Sequence, residues 1–302
     1  MATNANLYSV IQGLSPLLHY PLTETSGTTL VNAGSLGTAC NATLAGSYTL
    51  ADRELITGDS TKFLRLTGGR AVGSRGALAL PVTNLTFSVL LEVFPNTPLA
   101  LPPAIFAVSA AGETEATNAQ VLFSLNVSTL APFSLHENST GVNTQVTSTE
   151  TIAAAASNAR GNSLLHLTIT RDATTRTVKF YYNGGLLFSD TYTTNPTGGT
   201  STALYVGTEA DLRASHPMAM GQLCLWNRVL TDTELFNLHS ASGYNTRPSL
   251  GYLGLDANPS DILNIPVISS TLAPIALKRL RIAYDALINP NIINPEEAYS
   301  FD

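Results

Sequence analysis

The sequence predicts an all-β protein built on an antiparallel β-sandwich, and three observations support this. Short apolar runs with period-two alternation recur along the chain, as expected for strands that bury one face. Gly, Asn, Asp and Pro separate these runs at the spacing typical of sandwiches and barrels. Only 12% of the 302 residues are charged, and Thr, Ser, Asn, Ala and Gly replace the missing charges, as in β-rich proteins with many polar turns.

A short helix is predicted before the first strand. Residues 5–15 place four apolar side chains at helical spacing, and Pro16 ends the segment. A strand-like piece at 17–22 follows, and then a polar turn at 23–29.

The clearest strands lie in the second half of the chain. The alternating runs 165–170 and 178–182 flank a polar turn, and Asn183-Gly184 begins a second turn that leads to a third strand near Leu187. Asn-Gly between alternating runs is a strong hairpin signal because both residues accept positive φ.

A last strand and a capped helix end the predicted sandwich. The strand at 220–226 ends on Trp226, which we expect in the core. Thr231 and Glu234 then have the spacing of a capping box, which predicts a helix over 234–239.

The segment 246–302 differs in character from the rest. Prolines separate its apolar pieces, and a helix predicted over 275–287 places Leu280, Ala283 and Leu287 on one face. The segment is too apolar for a disordered linker, so we expect an arm that packs along its own domain or across a neighbouring subunit, with these three residues as the partner contacts. The predicted organisation is therefore an N-terminal helical arm (1–16), a sandwich (17–245) and a C-terminal arm with a short helix (246–302).

Two blocks of sequence resemble a known family. The opening block, 8–29, has a short helix, Ser-Pro, and then Leu-Thr-Glu-Thr-Ser-Gly-Thr-Thr. The closing block combines 166–183, 204–207 and 221–235, the last of which contains Trp-Asn-Arg-Val-Leu-Thr-Asp-Thr-Glu-Leu. Both resemble the laminin-G-like (concanavalin A-like) jelly roll found in many bacterial and phage proteins. The resemblance frames 8–241 and implies a jelly-roll sandwich.

The same resemblance raises the question of calcium. Family members that bind calcium use carboxylates and backbone carbonyls on one rim. Many members have an Asp shortly after Ser-Gly-Thr-Thr, whereas this chain has Asn32. Asp59, Glu209 and Asp211 are the loop carboxylates that could bind a metal, but we expect them to be solvated loop acids.

The sequence offers no recognisable catalytic pattern. Glycoside hydrolases of this fold carry a Glu-x-Asp-x-x-Glu pattern, which is absent here. The five histidines show no metal or triad spacing, and His166 alternates with core residues, so we expect it on the surface. The chain is therefore predicted not to be an enzyme and to need no cofactor.

Sugar or protein binding would need exposed side chains around the Asn-Gly hairpin. Tyr181, Tyr182, Asn183 and Tyr192 are the candidates for contact with a glycan or a partner.

Charge and hydropathy argue against binding to nucleic acid and against insertion into a membrane. The net charge is −6, no basic stripe suits nucleic acid, and no apolar stretch is long enough to span a membrane. The two cysteines, Cys40 and Cys224, stand among small or apolar residues and are expected to be buried free thiols.

The expected function is that of a virion structural protein of a tailed bacteriophage, either a capsid decoration (cement) protein or a tail component. No export signal is recognisable at the N-terminus, which predicts assembly in the host cytoplasm. Both terminal arms would clamp neighbouring virion proteins, and a homo-oligomer such as a trimer would strengthen the hold. The alternative is an adhesin that binds host surface polysaccharide.

Overall fold

A computed structural model describes the sandwich and the two helices beside it. The described residues are 3–56, 59–68, 70–74, 84–93, 104–109, 121–125, 132–137, 143–148, 163–195, 203–207 and 217–243. Their helices and strands, in chain order, are α1 (Asn4–Gly13), β1 (Leu18–Tyr20), β2 (Thr29–Leu30), a 3₁₀ helix (Gly37–Cys40), β3 (Ala42–Ala45), β4 (Tyr48–Glu54), β5 (Lys62–Leu66), β6 (Arg70–Ser74), β7 (Leu85–Val93), β8 (Ala104–Ser109), β9 (Val121–Leu125), β10 (Pro132–Glu137), β11 (Asn143–Thr147), β12 (Ser163–Asp172), β13 (Thr177–Tyr182), β14 (Gly185–Thr191), β15 (Ala203–Val206), β16 (Met218–Trp226) and α2 (Asp232–Ala241).

The strands form two antiparallel sheets, which confirms the predicted jelly-roll sandwich. Sheet A has the order β14-β13-β12-β7-β16-β5-β4, with β1 also paired to β16. Sheet B has the order β11-β10-β9-β8-β15-β6-β3-β2. Neither helix among the described residues is long and apolar enough to cross a bilayer.

The inner core lies between the two sheets. Period-two alternation places Leu165, Leu167 and Ile169 on the inner face of β12, where all three are buried. Phe87 on β7 stacks on Phe123 of β9 with ring centroids 4.6 Å apart. Burial of such side chains on the inner faces is the main force that holds the two sheets together.

A second apolar cluster covers the outer face of sheet A. Here α1 and α2, called the helix layer below, pack on outward-facing residues of sheet A. The buried members of this cluster are Leu7, Ile11, Leu55, Ile56, Phe63, Leu90, Ala219, Cys224, Trp226, Leu230, Leu235, Leu238 and Ala241. Sheet A is therefore buried on both faces here, and every residue of β16 is buried. Trp226 is in the core, as predicted.

The position of α1 corrects the expectation that it serves as a clamp. Its apolar side chains Leu7 and Ile11 are buried against the protein's own sandwich. An amphipathic helix buries one apolar face, and the sandwich already occupies the face of α1. The helix is thus part of the folded module, and its apolar stripe is not available to a neighbouring subunit.

The predicted Asn-Gly hairpin is confirmed between β13 and β14. Asn183 and Gly184 have φ values of +47° and +89°. The Asn183 side-chain oxygen also accepts a hydrogen bond from the His166 backbone N–H at 2.8 Å, and its own N–H donates to the His166 carbonyl at 3.0 Å. The turn residue therefore also binds β12, the strand beside β13.

Candidate functional site

Asn32, the residue that departs from the family pattern, has a structural role. Its side-chain oxygen accepts the backbone N–H of His19 at 2.8 Å and of Gly34 at 2.9 Å. Its amide nitrogen donates to the Gly37 carbonyl at 3.0 Å. An Asp carboxylate has no N–H and could not make the third bond. Asn32 therefore fixes the loop 31–37 against β1.

Asp59, a candidate metal ligand expected to be a solvated loop acid, binds the N-terminus of α1. One carboxylate oxygen accepts the Asn4 N–H at 2.6 Å, and the other accepts the Thr61 N–H at 2.7 Å. Burial acts to raise the pKa of Asp59, but the hydrogen bonds from Thr61 and Asn4 outweigh it, so the pKa is lowered. A carboxylate at a helix N-terminus satisfies free N–H groups and the helix dipole.

The other proposed calcium ligands receive no support from the part of the chain that is described. Glu209 and Asp211 lie outside the described residues. Within the described ranges, no three His, Cys, Asp or Glu side chains are grouped so that they could hold a metal ion. Both carboxylate oxygens of Asp59 accept hydrogen bonds from backbone N–H groups.

The four hairpin candidates separate into two pairs. Tyr182 and Tyr192 are buried in the inner core at 5% and 4% exposure, so their proposed contact with a glycan or partner is wrong. Tyr182 is in phase with Phe180, which faces inward, and the Tyr192 hydroxyl donates to the Asp172 carbonyl. Tyr181 and Asn183 are only partly buried and remain candidates.

The closing family motif fastens α2 to sheet A. Arg228 binds both oxygens of Glu234, each at 2.7 Å, and Glu234 completes the predicted capping box with Thr231. The Arg228 bonds, then the Thr231 bonds, lower the pKa of Glu234 to about 2, against burial that acts to raise it. Thr86 of β7 donates to the Arg228 carbonyl and accepts the Leu230 N–H. These motif residues therefore hold the fold together.

A buried polar chain joins α1 to β1 and β16. Gln222 accepts from His19 Nε2 at 2.5 Å and donates to the Asn4 side-chain oxygen at 2.6 Å. Gln12 of α1 donates to His19 Nδ1 at 2.6 Å and to the Ala33 carbonyl at 3.3 Å. The order of donors and acceptors makes His19 a neutral imidazole with its proton on Nε2. Burial lowers the pKa of His19 to about 4, although the bond to Gln222 acts to raise it.

A second polar cluster lies beneath α2 and corrects the expectation that His166 is a surface residue. His166 is 2% exposed because α2 and the residues after it cover the outer face of β12. Its Nδ1 lies 2.9 Å from the Ser242 hydroxyl, and its Nε2 lies 2.7 Å from the Ser88 hydroxyl. The Ser242 hydroxyl donates to the His239 carbonyl, so it accepts from His166 Nδ1–H, and Ser88 donates to Nε2.

Ser88 and His166 have the contact of a serine nucleophile with its base, but their burial argues against catalysis. Both residues are almost completely inaccessible beneath α2. A nucleophile and its base need a reacting atom within about 3 Å. Because both side chains are buried, no reacting atom can reach them in this arrangement, and the bond from His166 to Ser242 holds the end of α2 in place.

Sequence reasoning did not identify the residues that join the helix layer to sheet A. The missed residues are Gln12, Ser88, Gln222, His239 and Ser242. A signal was present, because polar residues occupy the outward positions of central strands that are otherwise apolar. Thr86 and Ser88 on β7 show this pattern, which predicts a polar contact with a covering element.

The exposed apolar residues of the described surface include two on or near the helix layer. Phe236 of α2 is 60% exposed, and Leu186, paired in register with Tyr181, is 51% exposed. Burial first, and then the Asp232 carboxylate of α2, raises the pKa of Tyr181. Phe236 lies one helical turn after Asp232, so this side of the sandwich offers large side chains for contact. Cys40 and Cys224 are buried thiols that form no disulfide with each other, as predicted.

Comparison with solved structures supports the fold. The receptor-binding domain of botulinum neurotoxin mosaic serotype C/D matches 75% of this chain and 50% of its own length, with 12% identity and a TM-score of 0.56. The binding domain of botulinum neurotoxin DC in complex with rat synaptotagmin II matches 76% and 52%, with 12% identity and a TM-score of 0.52.

A structure of botulinum neurotoxin type C, whose cell entry depends on interaction with two ganglioside molecules, matches 78% of this chain and 53% of its own length, with 12% identity and a TM-score of 0.54. The chain thus spans about half the length of the structures it matches. At these identities the likeness shows a shared fold. No curated protein sequence matches the chain.

The sequence also matches a family model over residues 72–236, more than half of its length. This region runs from β6 into α2 and includes the hairpins β12–β14 and the Arg228–Glu234 motif. The chain belongs to the laminin-G-type family of the concanavalin A-like lectin/glucanases superfamily.

Proposed function

We propose that this chain is a non-catalytic structural protein of a tailed-bacteriophage virion, either a capsid decoration protein or a tail-associated component. The observation that carries the proposal is that side chains of both family blocks hold the helix layer on the sandwich. Gln12 of the opening block joins α1 to His19 of β1, and Arg228 with Glu234 of the closing block fixes α2. Such a module is suited to a mechanical role in which a rigid body is displayed or attached.

Sequence features add support for a place in a larger assembly. The low share of charged residues leaves little electrostatic repulsion to keep copies apart. The apolar segment 246–302 follows the sandwich, and in this proposal it binds a neighbouring capsid or tail subunit through Leu280, Ala283 and Leu287. Homo-oligomers such as trimers would make attachment multivalent. The virion would assemble in the host cytoplasm.

Incorporation into virions tests the role of this segment. We expect loss of the chain from purified particles when Leu280 and Leu287 are both changed to Ser. A matched control changes Lys278 and Asp285 to Ser, because these positions fall on the other side of the predicted helix. Equal incorporation of both variants, or absence of the wild-type chain from native particles examined by cryo-electron microscopy, would contradict the proposal.

Carbohydrate binding is the second candidate, and the comparisons favour it. The superfamily is named for lectins and glucanases, both of which act on carbohydrates, and one similar toxin depends on gangliosides for cell entry. In this proposal the contact includes Tyr181 and Asn183 at the β13–β14 hairpin. A glycan array with and without calcium tests it. Binding should fall in Tyr181→Ala, persist in the control Val31→Ala, and survive deletion of 246–302, whereas an array without signal would exclude it.

A further inference from the structure

Three buried histidines lie where the helix layer meets sheet A. His19 is on β1 beneath α1, His166 is on β12 beneath α2, and His239 is on α2 itself. All three are at most 2% exposed. The rings of His166 and His239 have centroids 4.3 Å apart. Buried polar groups of this kind are stable only in the protonation state that their surroundings fit.

The surroundings of His19 fit the neutral ring alone. Gln12 donates an N–H to Nδ1, so a proton on Nδ1 would face another donor. Gln222 accepts from Nε2. The His19 ring contacts the Tyr8 ring, with centroids 4.9 Å apart, and its register partner on β16 is Cys224. Neither residue is a carboxylate that could pair with an imidazolium.

The surroundings of His166 and His239 are equally unsuited to a charge. Burial, and then repulsion from His239, lowers the pKa of His166, and burial lowers the pKa of His239 to about 3. Among the described residues, neither ring nitrogen of His239 has a hydrogen-bond partner. The other ionisable residues on the elements around this pair are Glu92 on β7, Arg171 and Asp172 on β12, Lys179, Tyr181 and Tyr182 on β13, and Asp232 and Glu234 on α2. Glu234 accepts hydrogen bonds from Arg228, and the charge of Asp232 contributes to the raised pKa of Tyr181.

We propose that the helix layer is an acid-releasable cover: protonation of His19, His166 and His239 detaches α1 and α2 from the outer face of sheet A while the two sheets remain paired. The inference does not depend on the proposed function. Protonation places positive charge beneath the two helices. The release that follows is confined to the outer face of sheet A.

The sign of the pH dependence follows from the lowered pKa values. A histidine released into water regains its usual pKa of about 6.5 and binds a proton that the docked form does not bind. Docking is therefore complete above about pH 6.5 and weakens as the pH falls towards 4. At about pH 5 the docking equilibrium falls about 30-fold for each histidine released, because the pH is then about 1.5 units below the free pKa.

Other titratable groups do not obscure this pH range. Asp59 and Glu234 fasten the two helices, and both have lowered pKa values, so they remain ionised near pH 5. The apolar cluster of the inner core contains only tyrosines and a cysteine as titratable groups, which stay uncharged near pH 5, and the buried Arg171 stays protonated because burial lowers its pKa only to about 10. Acid therefore acts on the helix layer before it acts on the sandwich.

The single tryptophan reports on the helix layer directly. Trp226 is buried in the cluster between the helix layer and sheet A. We expect its fluorescence emission to shift to the red between about pH 6 and pH 4 in the full chain, while the β-sheet signal in far-UV circular dichroism is retained. If the two signals change together, acid unfolds the whole module and the proposal fails. If the emission does not move by about pH 4, the cover is not acid-releasable.

Histidine variants identify the groups that bind the protons. His239→Leu removes one of the three sites, so release near pH 5 should become about 30-fold less favourable and the midpoint should move to lower pH. His239→Gln, neutral but polar, is the second variant in case the first does not fold at neutral pH. His136→Gln is the matched control because residue 136 lies on β10 of sheet B. A midpoint that is unchanged in both His239 variants would overturn the assignment.

Discussion

Replacing Gly34 by Ala should show how closely the opening loop is packed on β1. A Cβ at this position would lie 2.4 Å from the Leu17 carbonyl oxygen, 2.7 Å from its carbonyl carbon and 2.9 Å from the His19 nitrogen. Ordinary Cβ contacts begin near 3.4 Å, so the loop or the strand must move by about 1 Å. All three atoms belong to the backbone, which cannot turn away as a flexible side chain can.

The size of the effect follows from what that movement disrupts. Three backbone hydrogen bonds hold the loop on residues 16–19, at the start of β1, from the N–H groups of Ala33, Ser35 and Leu36, at 2.8, 2.9 and 3.2 Å. Overpacking typically costs about 1–3 kcal/mol, and each weakened hydrogen bond adds roughly 1 kcal/mol. The free energy of unfolding should therefore fall by about 3 kcal/mol in Gly34→Ala.

Urea unfolding followed by Trp226 fluorescence measures this change. The control is Gly13→Ala at the end of α1, where no atom lies within 4 Å of the added Cβ. There the substitution should leave stability unchanged or raise it by up to about 1 kcal/mol, because Ala favours the helix. A Gly34→Ala protein within about 0.5 kcal/mol of the wild type would refute the close approach of loop and strand.

Three further predictions concern the helix layer and the thiols. At about pH 7.5, His19→Leu should destabilise the protein by roughly 2–4 kcal/mol because the buried Gln222 amide and the partly buried Gln12 amide lose their partner. His239→Leu should be neutral or stabilising, and urea unfolding compares the two variants. Arg228→Gln should lower stability by about 1 kcal/mol, a small value because the ion pair is partly solvated, and thermal unfolding measures it. Cys40 and Cys224 should not react with a thiol reagent in the native protein near pH 8, and both should react after unfolding, since burial raises the pKa of Cys224 and shields both sulfurs.

Local signals predicted the strands, the hairpin and the capped helix correctly because each depends on neighbouring residues. Asn183-Gly184 specifies its own turn, and Thr231 with Glu234 specifies its own helix start. The same alternation assigned Tyr182 to the inner face, and treating it as a surface residue disregarded that pattern.

The cover of sheet A could not be predicted from local patterns. Alternation shows that His166 points away from the inner core, but its burial depends on α2, which lies more than 60 residues later. Asp59 resembles a free loop acid until α1 places the Asn4 N–H on it across 55 residues. The two-residue alternation of a strand indicates which face of the sheet a side chain is on. Only the tertiary fold determines what covers that face.

The central place of β16 has a consequence for how the protein is made. This strand pairs with β7, β5 and β1, and its partner Leu18 stands about 200 residues before Leu225. During synthesis, β5 and β7 are therefore produced long before the strand that lies between them. Pairings of such long range form slowly and leave strand edges open in the meantime. A chain that ends before Met218 should aggregate, whereas translation past Trp226 supplies every strand of both described sheets.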